Sequence, residues 1–219
     1  MSSFPGSPRT IQGGIVLVDP DSAVVVRVIV LQYNPETLTR SIQAKGVAPE
    51  AGDRLEAFRL TGPPSETIKL EAEIDAVDQL EFPDQNPNAV QLGIHPQLAA
   101  LETIVYPSSD QLQTNNNLAS AGTLEIIPAQ SPLVLFVWSK NRVIPVSITE
   151  FTITEEAFDP FLNPVRAKVS LGMRVLTTND LNFDTRASSI YMAYFQQKER
   201  LAGLNKEGTL SALGITRIP

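Results

Sequence analysis

The feature that most constrains the fold is a strict period-two alternation in TIKLEAEIDAVD, at residues 67–78. Its apolar positions are Ile68, Leu70, Ala72, Ile74 and Ala76, and its charged positions are Lys69, Glu71, Glu73 and Asp75. Successive side chains of a β-strand point to opposite faces, whereas a helix would scatter the carboxylates around its axis. The pattern therefore predicts a strand with one face in a core and an acidic outer face.

A second strand, at 165–176, carries the opposite charge on its outer face. The inward positions are Val165, Ala167, Val169, Leu171, Met173 and Val175, and the outward cations are Arg166, Lys168 and Arg174. If the two strands pair directly, each cross-strand pair of opposite charges contributes about 0.2–1 kcal/mol. If they lie at opposite ends or edges, copies of the chain could stack head to tail. A third reading is two separate solvated faces.

Residues 22–33 form a predicted strand that is apolar on both faces. The first face holds Val24, Val26, Val28 and Val30, and the second holds Val25, Ile29 and Leu31 with Arg27. Such a strand needs cover on both sides from the core, a second sheet or another subunit. It forms a hairpin with 15–19, and Asn34-Pro35 ends it because proline cannot donate to a β-ladder.

The remaining elements follow from turn chemistry. We expect a short strand at 54–60, a loop at 78–93, a helix from Pro96 to about Val105 and an exposed, mobile loop at 111–122. A hairpin is predicted at 132–158 with its turn at 139–141, and a phase change along its second arm indicates a bulge near Thr149-Glu150. The last helix runs from 186 to 202, with Asp184 as cap and Gly203 as terminator.

Composition narrows the classes of function. The chain has 219 residues, 42% of them hydrophobic, and a net charge of -7, which suits one β domain and argues against a nucleic-acid binder. The absence of cysteine excludes disulfides and thiolate metal sites, and the single histidine, His95, disfavours a multi-histidine metal site or a Ser-His-Asp triad. No catalytic, cofactor-binding or metal-binding residue is predicted. The acidic face of 67–78 reads as a solvated face, not an acid-base pair.

The N-terminus lacks the pattern of a secretory signal, and no apolar stretch approaches the ~20 residues that a membrane span needs. We expect synthesis and assembly in the cytoplasm.

Five ordered stretches, between about residues 30 and 176, resemble segments of contractile injection system tube-like proteins, a phage-tail-related family. The Phe/Tyr-Asn-Pro-Glu-x-Leu segment is matched by LQYNPETLTRS, and the Ile-x-Leu-Glu-x-x-x-Asp-Ala strand by TIKLEAEIDAVD. The helix preceding Tyr-Pro is matched by GIHPQLAALETIVYP. The Phe-x-Trp strand is matched by LVLFVWS, and the turn into the final strand by ITEFTITEEAFDPFLNPVRAKVSLGM.

The resemblance implies a mainly β (α+β) tail-tube-like fold, a two-sheet antiparallel sandwich or barrel with a flanking short helix and a C-terminal helix. It implies a non-enzymatic subunit that forms a hexameric ring in the baseplate and joins the spike hub to the inner tube. The partners would be further copies, the tube protein, the spike or hub protein and other baseplate subunits, without nucleic acid, membrane insertion or cofactor. The particle would be either released or membrane-anchored. The β domain would span 1–177 and a helical extension 178–219, which lacks the pattern of the LysM domain that many family members carry.

The predicted subunit interface combines the Asn-Pro segment, the two charged strand faces and one tyrosine of the last helix. Its members are Tyr33, Asn34, Pro35, Glu36, Glu71, Glu73, Asp75, Arg166, Lys168, Arg174 and Tyr194. Two alternative functions remain open: the main inner tube protein of the same particle, or a monomeric β-sandwich carbohydrate-binding module with Trp138, Tyr33 or Tyr106 as its stacking platform. A hydrolase is a third reading, which the single histidine disfavours.

Overall fold

The computed structural model describes residues 11–46, 59–122, 131–205 and 208–218. In this part of the chain, seven strands form one hydrogen-bonded antiparallel array in the order β2-β1-β5-β6-β7-β4-β3. The strands are β1 (Gly14–Val18), β2 (Val25–Val30), β3 (Leu38–Gln43), β4 (Ser65–Asp75), β5 (Leu133–Ser139), β6 (Arg142–Phe158) and β7 (Pro164–Val175). The protein is therefore mainly β, as predicted.

Strand β6 is shared by two sheets. Its residues 142–146 pair with β5, which continues to β1 and β2. Its residues 146–158 pair with β7, which continues to β4 and β3. The register shifts between Ile148 and Glu150, so the bulge predicted near Thr149-Glu150 is confirmed. A bulge bends its strand and increases the local twist, which lets one strand serve both layers of the sandwich.

Within the described ranges, five helices connect or flank the strands. They are α1 (Val77–Leu80), α2 (Pro87–Leu92), α3 (His95–Glu102), α4 (Ser109–Ser120) and α5 (Arg186–Ala202), with 3-10 turns at Pro83–Gln85 and Leu210–Leu213. The bounds predicted for the last helix are confirmed, although its cap is Thr185, not Asp184: the Thr185 side chain accepts from the Ser188 amide.

Two predicted loops are wrong. Residues 77–92 form α1, a 3-10 turn and α2, because Pro83 and Pro87 each stand at a first helical position, where the missing N–H costs nothing. Residues 109–120 form α4, whose cap Ser108 accepts from the Gln111 amide. No residue of α4 is buried, so it lacks the apolar stripe by which sequence reasoning recognises a helix. The strand predicted at 54–60 falls mostly outside the described residues, and only a bridge between Gly46 and Leu60 is present there.

One hydrophobic core lies between the two sheets. The inward residues predicted for β4 and for β7 from Ala167 onward are buried, at no more than 8% exposure, and Val165 is half-buried. Phe136 of β5, Leu98 and Leu101 of α3, and Tyr191 and Tyr194 of α5 belong to the same cluster. Helix α5 thus contributes two tyrosines to the same core as the strands.

A buried carboxylate fixes α5 to the second sheet. Glu66 of β4 is 3% exposed and accepts from Arg40 of β3 at 2.6 and 2.8 Å and from Lys198 of α5 at 2.8 Å. The Tyr194 hydroxyl lies 3.4 Å from the same carboxylate, and the Lys198 ammonium stands 4.4 Å from the centre of the Tyr194 ring. Burial alone would raise the pKa of Glu66, but the hydrogen bonds from Lys198 and Arg40 outweigh burial and lower it.

Glu66→Gln should lower the free energy of unfolding at pH 7 by about 2–3 kcal/mol, because it leaves two cations without their counter-charge. Since the folded state lowers the pKa of Glu66, its contribution is complete above the ordinary value of 4.5 and is lost as pH falls through the folded-state pKa. Denaturant unfolding at pH 7 and at pH about 3 should show the difference between the two proteins shrinking in acid. The control is Glu71→Gln on the exposed face of β4, which should change stability by less than about 0.5 kcal/mol. A difference independent of pH would contradict the assignment.

Candidate assembly surface

Strand β2 is an exposed apolar edge. It pairs with β1 on one side, and no described strand pairs with its other side. Five valines in or next to β2 are 54–61% exposed: Val24, Val25, Val26, Val28 and Val30. Soluble monomers usually blunt such an edge with charges, proline or a covering element, because its free N–H and C=O groups accept another strand. Of the three covers that the sequence left open for this strand, namely core, second sheet and another subunit, the described residues supply only part.

The apolar face of β2 continues into the molecule. Val28 lies opposite Val16 of β1, which lies opposite Leu135 of β5. Exposure falls along this row: Val28 is 56% exposed, Val16 is half-buried and Leu135 is 7% exposed. The layer is covered at its centre and open at its edge, so a partner at β2 would extend an apolar layer that already exists.

Polar contacts on both sides hold β2 in place. The Arg27 guanidinium donates to the Thr103 hydroxyl at 2.7 Å and to the Ala100 carbonyl at 3.3 Å, beside α3. After the strand, the Gln32 amide exchanges two hydrogen bonds, of 2.7 and 3.0 Å, with the Asp75 backbone at the end of β4. Between these two sets of hydrogen bonds, an apolar cleft of about 340 Å³ separates β2 from α3 and β4. The edge is therefore held in a fixed position in the absence of any partner.

Asn34 serves its own hairpin. Its side-chain oxygen accepts from the Gly13 amide at 2.9 Å, and its side-chain nitrogen donates to the Ile11 carbonyl at 2.8 Å. The Asn-Pro segment thus closes the open end of the β1–β2 hairpin. Tyr33 is 45% exposed and Glu36 is also exposed, whereas Pro35 is half-buried. Any role for this segment towards another chain stays a prediction.

The charged faces of β4 and β7 pair with each other within one chain. Of the arrangements considered from the sequence, the direct pairing of the two strands is therefore the one present. Asp75 lies opposite Arg166 in the β-ladder and accepts from it at 2.8 Å, while Glu73 lies opposite Lys168. Further pairs on this face are Arg166–Glu73 at 3.9 Å, Lys168–Glu156 at 2.9 Å, Lys69–Glu150 at 2.6 Å and Arg174–Asp180 at 2.7 Å. All these pairs are partly solvated, so each contributes little. The second sheet therefore has a neutralised, hydrated outer face, unlike the apolar edge of the first sheet.

The aromatic residues do not form one platform. Trp138 is half-buried and stacks on Phe136 at 5.8 Å between ring centres, and no ring contact in the described ranges joins it to Tyr33 or Tyr106. Tyr194 is 6% exposed, and its hydroxyl lies 3.4 Å from the Glu66 carboxylate. In the described part of the chain, no group of three or more His, Cys, Asp or Glu side chains could hold a metal ion. No described helix has the length and apolar character needed to cross a membrane.

Comparison with known proteins gives distant structural similarities. No family model and no curated protein sequence matches the chain. A chain in the tail of an empty gene transfer agent (GTA) particle, solved with C6 symmetry, is similar at 11% identity and a TM-score of 0.30. A chain in the virion of a native GTA particle is similar at 11% identity and a TM-score of 0.28. Each similarity covers 80% of this chain and 95% of the other.

Asn34→Ala should destabilise the isolated chain by about 1–2 kcal/mol, because it removes two hydrogen bonds at the hairpin end. Pro35→Ala should cost less, about 0.4–1 kcal/mol, since it removes no hydrogen bond and only increases the freedom of the unfolded chain. Thermal unfolding of both variants checks this ordering. Equal stability of the two variants would contradict the role assigned to Asn34.

Proposed function

We propose that this chain is a structural subunit of a phage-tail-like contractile injection particle and that it works by assembling with further copies across β2. The observation that carries the proposal is the exposed, apolar and unpaired edge that β2 presents. The two sheets differ in outer-face chemistry. Neither outermost strand, β2 or β3, has a described strand beyond it, and of the two β2 is the apolar one. The ordered resemblance of five segments to tube-like proteins points to the same class of function.

Edge pairing would bury apolar surface that the single chain exposes. Fully burying a valine contributes about 1.5–3 kcal/mol, so covering the exposed half of each contributes about 1 kcal/mol. Five such side chains contribute about 5 kcal/mol, which together with the backbone hydrogen bonds of an added strand acts against an association cost of about 4–15 kcal/mol. A partner strand would also satisfy the backbone groups of the free edge.

The finer role we propose is that of a baseplate adaptor, a hexameric ring between the spike hub and the inner tube. The main inner tube protein of the same particle is the second candidate. In both roles the mechanism is mechanical, since repeated contacts between subunits build a rigid conduit that a contracting sheath drives outwards. Synthesis and assembly in the cytoplasm accord with either role, and no enzymatic step is required.

The double variant Val26→Lys, Val28→Lys should abolish assembly, because it places two charges on the apolar edge. Size-exclusion chromatography with light scattering should show rings for the unaltered protein and monomers for the variant. The thermal midpoint of the variant should stay within a few degrees, since both valines are more than half exposed in the single chain.

The matched control is Thr152→Lys, an exposed position on the hydrated outer face of the second sheet, which should leave ring formation unchanged. Negative-stain electron microscopy identifies the rings directly. A strict monomer at every concentration would overturn the proposed function.

A further inference from the structure

The connection between β6 and β7 presents two large apolar side chains to solvent. Phe161 is 85% exposed and Leu162 is 78% exposed, and Phe158 at the end of β6 is 52% exposed. These three residues are named the tip. They belong neither to the hydrophobic core nor to the β2 edge.

Hydrogen bonds and a strained residue hold the tip in shape. The Asp159 carboxylate accepts from the amides of Phe161 at 2.7 Å and Asn163 at 2.9 Å, and from the Asn163 side chain at 2.8 Å. Leu162 has a φ of 66°, a left-handed conformation that is uncommon for any residue except glycine. The chain therefore maintains a local strain that keeps Phe161 and Leu162 turned outwards, a feature that typically marks a binding site.

The tip lies at an acidic end of the molecule. The Ile94 amide donates to the Pro164 carbonyl, and the Asn163 side chain donates to the Gln91 carbonyl, so α2 and the start of α3 lie beside the tip. This end, named the acidic end, carries the exposed carboxylates Asp78, Glu81, Asp84 and Glu155. Within the described ranges none of these four forms a salt bridge.

At the opposite end of the second sheet, the described residues are mainly basic. There β3 ends, β4 begins, and α5 is bonded to Glu66 through Lys198. The β5–β6 turn joins this end, because Gln197 of α5 donates to the Asn141 side chain at 3.3 Å. The basic end, as we name it, carries the cations Lys45, Lys140, Arg142 and Arg200, and among described residues no carboxylate pairs with any of them.

The basic end also contains a cleft that an apolar side chain could enter. It lies between α5 and the β5–β6 turn and has a volume of about 340 Å³. Its lining combines the apolar Val143, Ile190 and Ala193 with Tyr194, the amides Asn141 and Gln197, and the exposed Lys140. Apolar walls next to a cation are the chemical complement of an apolar tip flanked by carboxylates.

We infer that the tip of one copy inserts into the α5 cleft of a second copy, so that copies stack with the acidic end of one on the basic end of the next. Both halves of the contact are on one chain, and their charges are complementary, which identifies the partner as a second copy. Such a contact is heterologous and leaves a free half at each end, so it propagates into a stack instead of closing as a dimer. Repulsion between like ends gives every copy the same direction along the stack.

This inference rests on the proposed function, in which copies of the chain assemble, but the contact uses surfaces other than β2. The contact at β2 would join copies side by side, and the tip contact would join them end to end. A subunit with both contacts would build a tube, so the inference favours the tube protein over a single adaptor ring.

The test is a charge exchange between the two ends. One variant carries Asp78→Lys, Glu81→Lys and Asp84→Lys, and the other carries Lys45→Glu, Lys140→Glu and Arg200→Glu; all six positions are exposed, and three reversals invert the sign of the altered end. At low salt the unaltered protein should form stacks in electron micrographs and pellet on centrifugation, and 0.5 M NaCl should reduce the pelleted fraction several-fold. Each variant alone should pellet at least tenfold less, because its two ends then carry the same charge.

An equimolar mixture of the two variants should restore stacking, since each end then meets an end of opposite charge. Restoration in the mixture would exclude simple loss of folding as the cause. Mixtures that stay unstacked, or a single variant that stacks like the unaltered protein, would overturn the inference.

A further variant, Leu162→Gly, tests the contribution of the apolar tip independently of the charges. Glycine adopts a φ of 66° without strain, so the thermal midpoint should be no lower, while stacking should fall at least tenfold. Tyr106→Ser, at a 68% exposed aromatic away from the tip, is the control and should stack normally. Stacking by Leu162→Gly at the normal level would overturn the insertion of the tip.

The outcomes also separate this inference from the proposed function. Single rings that never stack would overturn the tip contact and leave the β2 contact and the adaptor role standing. Monomers at every salt and protein concentration would overturn both.

Discussion

The path of β6 is the constraint on which the rest of the structure depends. Its first residues belong to the sheet of β5, β1 and β2, and its later residues belong to the sheet of β7, β4 and β3. The bulge between Ile148 and Glu150 brings the two sheets face to face over one core. Because β1 and β2 follow β5 in this order, β2 becomes the outermost described strand of its sheet, and no described strand lies beyond its valines.

Much of the fold could be predicted where one face is buried. The alternation in β4 and β7 predicted which residues face inwards, and the phase change in β6 predicted the bulge. Both predictions were possible because burial of one face imposes a period on the apolar residues. The short helices at 77–92 and the helix at 109–120 carry no such period, since their side chains mostly face water. They are fixed by proline positions and a serine cap, signals that are also frequent in turns.

The candidate surfaces were predicted only in part, because pairing partners depend on the fold. The unusual two-sided apolar character of β2 was visible in the sequence, but its lack of cover was not. The opposite charges of β4 and β7 were also visible, yet only the strand order shows that they neutralise each other within one chain. The tip was missed, although the signal FDPFLNP was there: two apolar residues between Asp-Pro and Asn-Pro turns are poorly explained by a solvent loop.

The continuity of β6 has a mechanical consequence. The tip is joined covalently to one 17-residue strand that runs through both layers. The β-ladder hydrogen bonds lie perpendicular to that strand. A push or pull along β6 therefore loads them in shear, and many must break together before the strand slips. A device that transmits thrust along its length would benefit from this resistance in every subunit.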